Sequence, residues 1–221
     1  NHYRFMLEGL FETKRAVEAR GARMVVRKAS PEKGALSLAR DAALVVADRG
    51  YLRIQRRWRG VVAERAPCPV VQVESDAVVP VEAAMQRQAY SAAVLRPRVE
   101  GLLGRYLAPL RLRKIKVRAS KLKFQDFDIG DIESALSRLG AKGAASQPFA
   151  AKGGRRAALR LLKLFVGKKL SRYESERNDP NLDGTSRLSP YLHFGQISPL
   201  EVALAVREAK GRGGAAFLEE L

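Results

Sequence analysis

The sequence predicts an α/β domain followed by an all-α one: an open, mostly parallel Rossmann-like sheet first, then the beginning of a helical domain. Three observations carry this expectation. Over residues 1–80, helix-period segments alternate with short runs rich in β-branched residues, and the connections are short. Beyond residue 80 the periodic segments are helical. A basic, irregular stretch over about 106–150 separates the first helical segments from the last ones.

The elements follow in order. Tyr3, Met6, Leu7, Leu10 and Val17 recur at helical spacing, and Gly21 supplies a stop. ARMVVR (Ala22–Arg27) reads as a short buried strand. Ser30-Pro31 marks the start of a helix running to about Arg40, with a capping residue followed by a first-turn proline. ALVVA (Ala43–Ala47) is a second strand, Tyr51–Arg65 a helix with Trp58 on its packed side, and PVVQV (Pro69–Val73) a third strand. The pattern opens on a helix, whereas a doubly wound unit ordinarily opens on a strand, so the start of this domain is expected to be missing. No G-x-G-x-x-G or Walker-type lysine loop follows any of the strands, which argues against a standard dinucleotide or NTP site.

Residues 81–110 read as largely helical. RLRKIKVRASKLKF (Arg111–Phe124) follows, and from Gly101 to Gln125 eight basic residues occur without an acidic one. Such a run is either a solvated linker or a track for phosphates. A short helix lies within Asp128–Gly140, with Ile132, Leu136 and Leu139 apolar. Gly140–Gly154 is a Gly/Ala/Lys-rich linker, and a helix from about Gly154 to Arg172 comes next. There Ala158, Leu161, Leu162 and Phe165 form a core stripe, while Lys152, Arg156, Arg160 and Lys163 share another face. That basic face is either an ordinary surface or a phosphate contact. The expected domains are therefore 1–105 (α/β), 106–150 (basic connection) and 151–221 (helical).

With 46% hydrophobic residues in 221, the chain can bury a core, and no apolar run approaches the roughly 20 residues of a membrane span. Asn1–Arg20 has no signal-peptide pattern, and the single cysteine, Cys68, excludes an internal disulfide, so the expected location is the cytoplasm. The net charge of +18, from 41 basic and 23 acidic residues, points to a polyanionic partner; a basic proteome or a missing acidic portion is the bland alternative. With His2 and His193 as the only histidines, no metal cluster and no nucleophile–base set is visible, and no catalytic residue can be assigned.

The stretch RNDPNLDGTSRLSPYLHFGQIS (Arg177–Ser198) is the most specific one. Gly184 permits a sharp bend or a positive φ, and Ser189-Pro190 starts a short helical turn that Gly195 ends. Hydroxyls of Thr185, Ser186 and Ser189, with neighbouring amides, either converge on an anion, typically a phosphate, or simply cap the turn. Arg187 either adds charge or braces the turn against Asp183. Ser198-Pro199-Leu200-Glu201 has the capping-box form and opens the next helix.

Tyr173, eleven residues, then Thr185-Ser186-Arg187-Leu188-Ser189-Pro190-Tyr191-Leu192 resembles the FAD-binding segment of the photolyase/cryptochrome family. The surrounding RNDP…LSPYLHFGQIS is similar to class II cyclobutane pyrimidine dimer photolyases. YRFMLEGLFE, DRGYLRIQRRW, VESDAVVPVEAA and AYSAAVLRPRV resemble the same class in order, so the likeness runs nearly the whole chain.

The resemblance implies light-driven repair of pyrimidine dimers in DNA by electron transfer from excited reduced FAD. It implies that Tyr173, Thr185, Ser186, Arg187, Leu188 and Ser189 contact FAD. Arg177 is implied at the flavin and DNA face, unless it pairs with Asp179; Arg156, Arg160 and Lys163 are candidates for DNA phosphates. His193 is either structural or a proton donor. An antenna chromophore of unspecified identity is a known companion in the family. The protein is expected to act as a monomer, and residues 1–221 alone are expected to hold FAD weakly or not at all and to be inactive. The alternatives are a cryptochrome-like photoreceptor, or a cofactor-free basic nucleic-acid-binding module.

Overall fold

A glycine stop explains where the first helix ends. In the computed structural model, which describes residues 2–119, 122–141 and 151–221, helix α1 spans His2–Ala19, and Gly21 follows it with φ 95°, a conformation glycine adopts without strain. The chain then folds into two compact units, one of Asn1–Val26 with Ala108–Leu221, the other of Arg27–Leu107.

The Arg27–Leu107 unit carries the sheet. Helix α2 (Pro31–Ala39) precedes strand β1 (Val45–Asp48), α3 (Arg53–Arg65) crosses over, and β2 (Val70–Val73) returns parallel to β1. Val45 stands opposite Val70 and Asp48 opposite Val73. A parallel pair needs such a crossover. Val62 and Ala39 are buried, whereas Val46, Val71 and Val73 remain about half exposed. Ser30 precedes α2 as expected, but its hydroxyl donates to Glu32 Oε1 and makes no cap bond. The largely helical stretch expected over 81–110 holds two helices, α4 (Val81–Ala84) and α5 (Ala92–Tyr106), the second tolerating Pro97 inside it.

The strand expected at Ala22–Arg27 is not a strand. The backbone of Val26 finds partners outside any sheet: its N–H donates to Asp126 Oδ1 at 2.7 Å, and its carbonyl accepts from the Phe127 N–H at 2.8 Å. Those bonds satisfy groups that a sheet would otherwise use. Asp126 also pairs with Lys14 and, at 3.7 Å, with Arg23. Burial pushes the Asp126 carboxyl up, yet Lys14, the Val26 amide and Arg23 outweigh it and hold the pKa below the ordinary aspartate range.

The other unit packs α1 with α6 (Ile132–Leu139), α7 (Arg155–Leu164), α8 (Tyr173–Glu176), α9 (Ser189–His193), α10 (Pro199–Ala209) and α11 (Gly214–Glu220). Asp131 caps α6, accepting from the amides of Glu133 and Ser134. Most of the linker expected over Gly140–Gly154 lies outside the described residues. Helix α1 sends Phe5 into one core and Leu7 into another, so it lies with the helices and not with the strands, as a division at residue 105 would have it. Tyr3, expected on its buried stripe, is 59% exposed. The main core gathers Phe5, Ala158, Leu162, Phe165, Leu170, Leu188, Val202, Val206 and Phe217. The second holds Leu7, Ile129, Ala135 and Leu136.

Two glutamates one turn apart on α1 tie it to the start of α7. Glu8 accepts from the Gly153 amide and Glu12 from the Arg156 amide, while buried Gln196 accepts from Gly154 and donates to the Phe5 carbonyl. The Gly154 backbone, at φ 110°, makes this approach. The helix expected to run unbroken from Gly154 to Arg172 instead changes its winding: α7 ends at Leu164, a π-helical turn spans Phe165–Lys169, and a 3₁₀ turn spans Leu170–Arg172. Such insertions re-aim the side chains that follow them.

Candidate functional site

Residues Asp183–Ser189 form a turn pressed against α8. Gly184 is buried, and a Cβ there would lie 2.7 Å from Glu176 Cβ and 3.0 Å from its carbonyl oxygen. The sequence suggested a glycine for a bend or a positive φ; close approach to the α8 backbone is the observed reason, and Gly184 is not among the positive-φ positions. The left-handed residue is Arg187, at φ 56°. For a non-glycine this costs about 1 kcal/mol or more, and residues held so collect where a site is shaped.

The turn is anchored from below and clamped from the sides. Leu188 is wholly buried in the main core, and its amide donates to Ser186 Oγ at 3.3 Å. Arg187 Nε donates to Asp183 Oδ1 at 3.0 Å, so it braces the turn. Lys169 reaches the other oxygen, Asp183 Oδ2, at 2.8 Å and donates to the Thr185 carbonyl at 3.4 Å. Lys169 first, then Arg187, hold the Asp183 carboxyl below the ordinary aspartate range. Thr185 and Ser189 are exposed, and neither hydroxyl has a protein partner among the described residues. The chemistry of the turn is therefore donor-rich, with Asp183 already neutralised: it suits an anion.

Tyr173 opens α8 beside this turn. Its ring meets Phe165 edge-on at 5.6 Å and Phe217 at 5.2 Å, and the Arg177 guanidinium lies 5.8 Å above it. Arg177 pairs with Glu220, not with Asp179, whose Oδ1 accepts from the amide and side chain of Asn181. Tyr173, Arg177 and the turn are thus brought into one neighbourhood by the Gly184–Glu176 approach.

The basic face of α7 is separate from that neighbourhood in its bonding. Arg156 is exposed and lies 3.6 Å from Glu12, and Arg160 and Lys163 are exposed; no hydrogen bond or ion pair among the described residues joins the three to the turn. Tyr191 is buried on Phe5 and donates to the Lys152 carbonyl, and burial raises its pKa. His193 is exposed and meets the Phe194 ring edge-on at 4.9 Å. Ser198 caps α10 through the Leu200 amide, but Glu201 pairs with Arg155 instead of completing the box. Sequence reasoning missed Lys169, Glu220 and Gln196. A Lys168-Lys169 doublet gives no sign that one amine is exposed and the other turned inward.

Residues 1–114 match the family model described as DNA photolyase, and the chain belongs to that family. It is 40% identical over 224 residues to the deoxyribodipyrimidine photo-lyase of Methanothermobacter thermautotrophicus, covering 100% of this chain and 48% of that protein. Its fold is similar to a Synechocystis cryptochrome at TM-score 0.78, with 15% identity over 99% of this chain and 48% of the other. It is also similar to a Sulfolobus tokodaii photolyase solved with two FAD molecules, at TM-score 0.70 and 19% identity, over 99% and 45% of the two chains. The chain spans about half the length of these relatives. Among the described residues, no helix is long and apolar enough to cross a membrane.

Proposed function

We propose that this chain is part of a light-driven DNA-repair lyase of the class II kind, acting on cyclobutane pyrimidine dimers. The observation that carries the reading is the Gly184–Ser189 turn. It offers exposed hydroxyls from Thr185 and Ser189, a strained Arg187 and a neutralised Asp183, in a chain of the photolyase family.

The turn fits the diphosphate of FAD, and FAD is named with the Sulfolobus tokodaii relative. Thr185, Ser186 and Ser189 would donate to its phosphate and ribityl oxygens, and Leu188 and Tyr173 would give the turn its buried footing. A bound reduced flavin supplies a light-excited electron, so the protein contributes binding, orientation and electrostatics. Arg177, stacked on Tyr173 and held by Glu220, keeps a fixed positive charge beside the same neighbourhood. Arg156, Arg160 and Lys163 present charge from α7 to DNA phosphates, which makes affinity fall steeply with added salt. A dimer already weakens stacking and pairing, which lowers the cost of taking it out of the duplex. An antenna chromophore, a monomeric state and a place in the cytoplasm, with the nucleoid if the source is bacterial, belong to the same reading.

The cryptochrome-like neighbour keeps a second reading open, signalling without repair. Repair assayed on the full-length protein decides. Light is expected to restore dimer-containing DNA and darkness to leave it unchanged; light-dependent flavin spectra without repair favour the photoreceptor.

A further inference from the structure

We infer that Lys169 is a positioning residue for the anion-binding turn, acting by neutralising Asp183 and holding the Thr185 carbonyl. The inference rests on the flavin reading of that turn and adds to it a residue outside the Tyr173 and Thr185–Ser189 segment.

Three observations converge on it. First, Lys169 ends the π-helical turn Phe165–Lys169, and its side chain is only 13% exposed, whereas Lys168 beside it is exposed. The widened turn aims one lysine of the pair inward. Second, its amine is 2.8 Å from Asp183 Oδ2 and 3.4 Å from the Thr185 carbonyl, so it grips both sides of Gly184. Third, Arg187 occupies the other Asp183 oxygen at 3.0 Å.

Charge explains why two cations share one carboxylate. Asp183 stands two residues from Thr185, and an unopposed carboxylate there would repel a diphosphate. With Lys169 and Arg187 both on it, the trio carries one net positive charge in place of a neutral pair. Removing Lys169 leaves Asp183 and Arg187 to cancel, and it frees the Thr185 carbonyl. Salt screens this charge less where Lys169 is largely out of water.

The test is FAD affinity of the full-length apoprotein, read by quenching of flavin fluorescence, with far-UV circular dichroism checking the fold. Unmodified protein comes first: no FAD binding there would sink the flavin reading itself, before Lys169 is in question. Given binding, K169M is expected to weaken it about tenfold and K168M to leave it unchanged. K169M/D183N is expected to recover most of the loss, because the amide that replaces the carboxylate keeps its shape and removes its charge. Wild-type affinity in K169M overturns the inference. So does a double variant as weak as K169M, which would make Lys169 a mere prop. If K169M does not fold, D183N alone decides: affinity held or raised supports the electrostatic role, and a tenfold loss contradicts it.

Discussion

Phe165 and Val71 are both hydrophobic residues expected in a core, yet one is wholly buried and the other 47% exposed. Around Phe165, in the helical unit, rings of Tyr173 and Phe217 meet it at 5.6 and 4.7 Å and aliphatic side chains fill the remaining space. Around Val71, in the Arg27–Leu107 unit, a two-stranded sheet has helices to pack on but leaves three valines half in water. A core closed on all sides fixes neighbouring backbone tightly enough to hold a strained turn; a half-covered sheet does not. That difference explains why the Arg187 φ of 56° is tolerable where it is: Leu188, the next residue, is locked in the closed core.

The strongest way to break the contrast is to open the core. Phe165→Ala is expected to destabilise the helical unit by about 3–5 kcal/mol, measured by chemical denaturation. A cost below about 1 kcal/mol would mean that the ring cluster is not what holds the unit together. Gly184→Ala should be next, at about 1–3 kcal/mol, since its methyl would push on the α8 backbone at Glu176. If the loss is confined to FAD affinity with no change in stability, the turn is softer than its packing implies.

The clamp of Val26 by Asp126 gives a pH signature. A carboxyl whose folded pKa lies below its unfolded one stabilises above the unfolded value, about 3.9, and that stability is lost as pH falls through the folded pKa. Stability of the unit containing Asp126 should therefore fall on acidification below about pH 4. D126N should cost about 1–3 kcal/mol at neutral pH and flatten that acid limb. An unchanged acid limb in D126N would assign the acid sensitivity to other carboxylates. The smallest effect belongs to the sheet: Val71→Thr should stay within about 0.5 kcal/mol, because its side chain is half in water already. A larger loss would show that the exposed face is covered in solution.

Legibility in the sequence follows the same divide. The pairing of Ala43–Ala47 with Pro69–Val73 is readable because strand, crossover helix and strand each announce themselves locally, and β1 and β2 lie within a few residues of those bounds. The core stripe Ala158, Leu162 and Phe165 is readable from its spacing. Ala22–Arg27 is not, since its β-branched composition says nothing of Asp126, a hundred residues on from Val26, which takes its amide. Phe5 escapes a single-stripe reading because α1 buries residues on two faces, in two different cores. At the site, the hydroxyls and the Arg187–Asp183 brace are visible in one short stretch. Lys169 and Glu220 are not, because a π-turn and a long-range ion pair leave no local pattern.

The central claim, that the Gly184–Ser189 turn holds the flavin diphosphate, is tested most directly by flavin content. The full-length protein with Thr185, Ser186 and Ser189 all changed to alanine is purified and its visible flavin absorbance compared with the unmodified protein. Loss of most of the flavin, with DNA binding and a native far-UV circular dichroism spectrum retained, is the predicted result. Stoichiometric flavin in the triple variant would contradict the account.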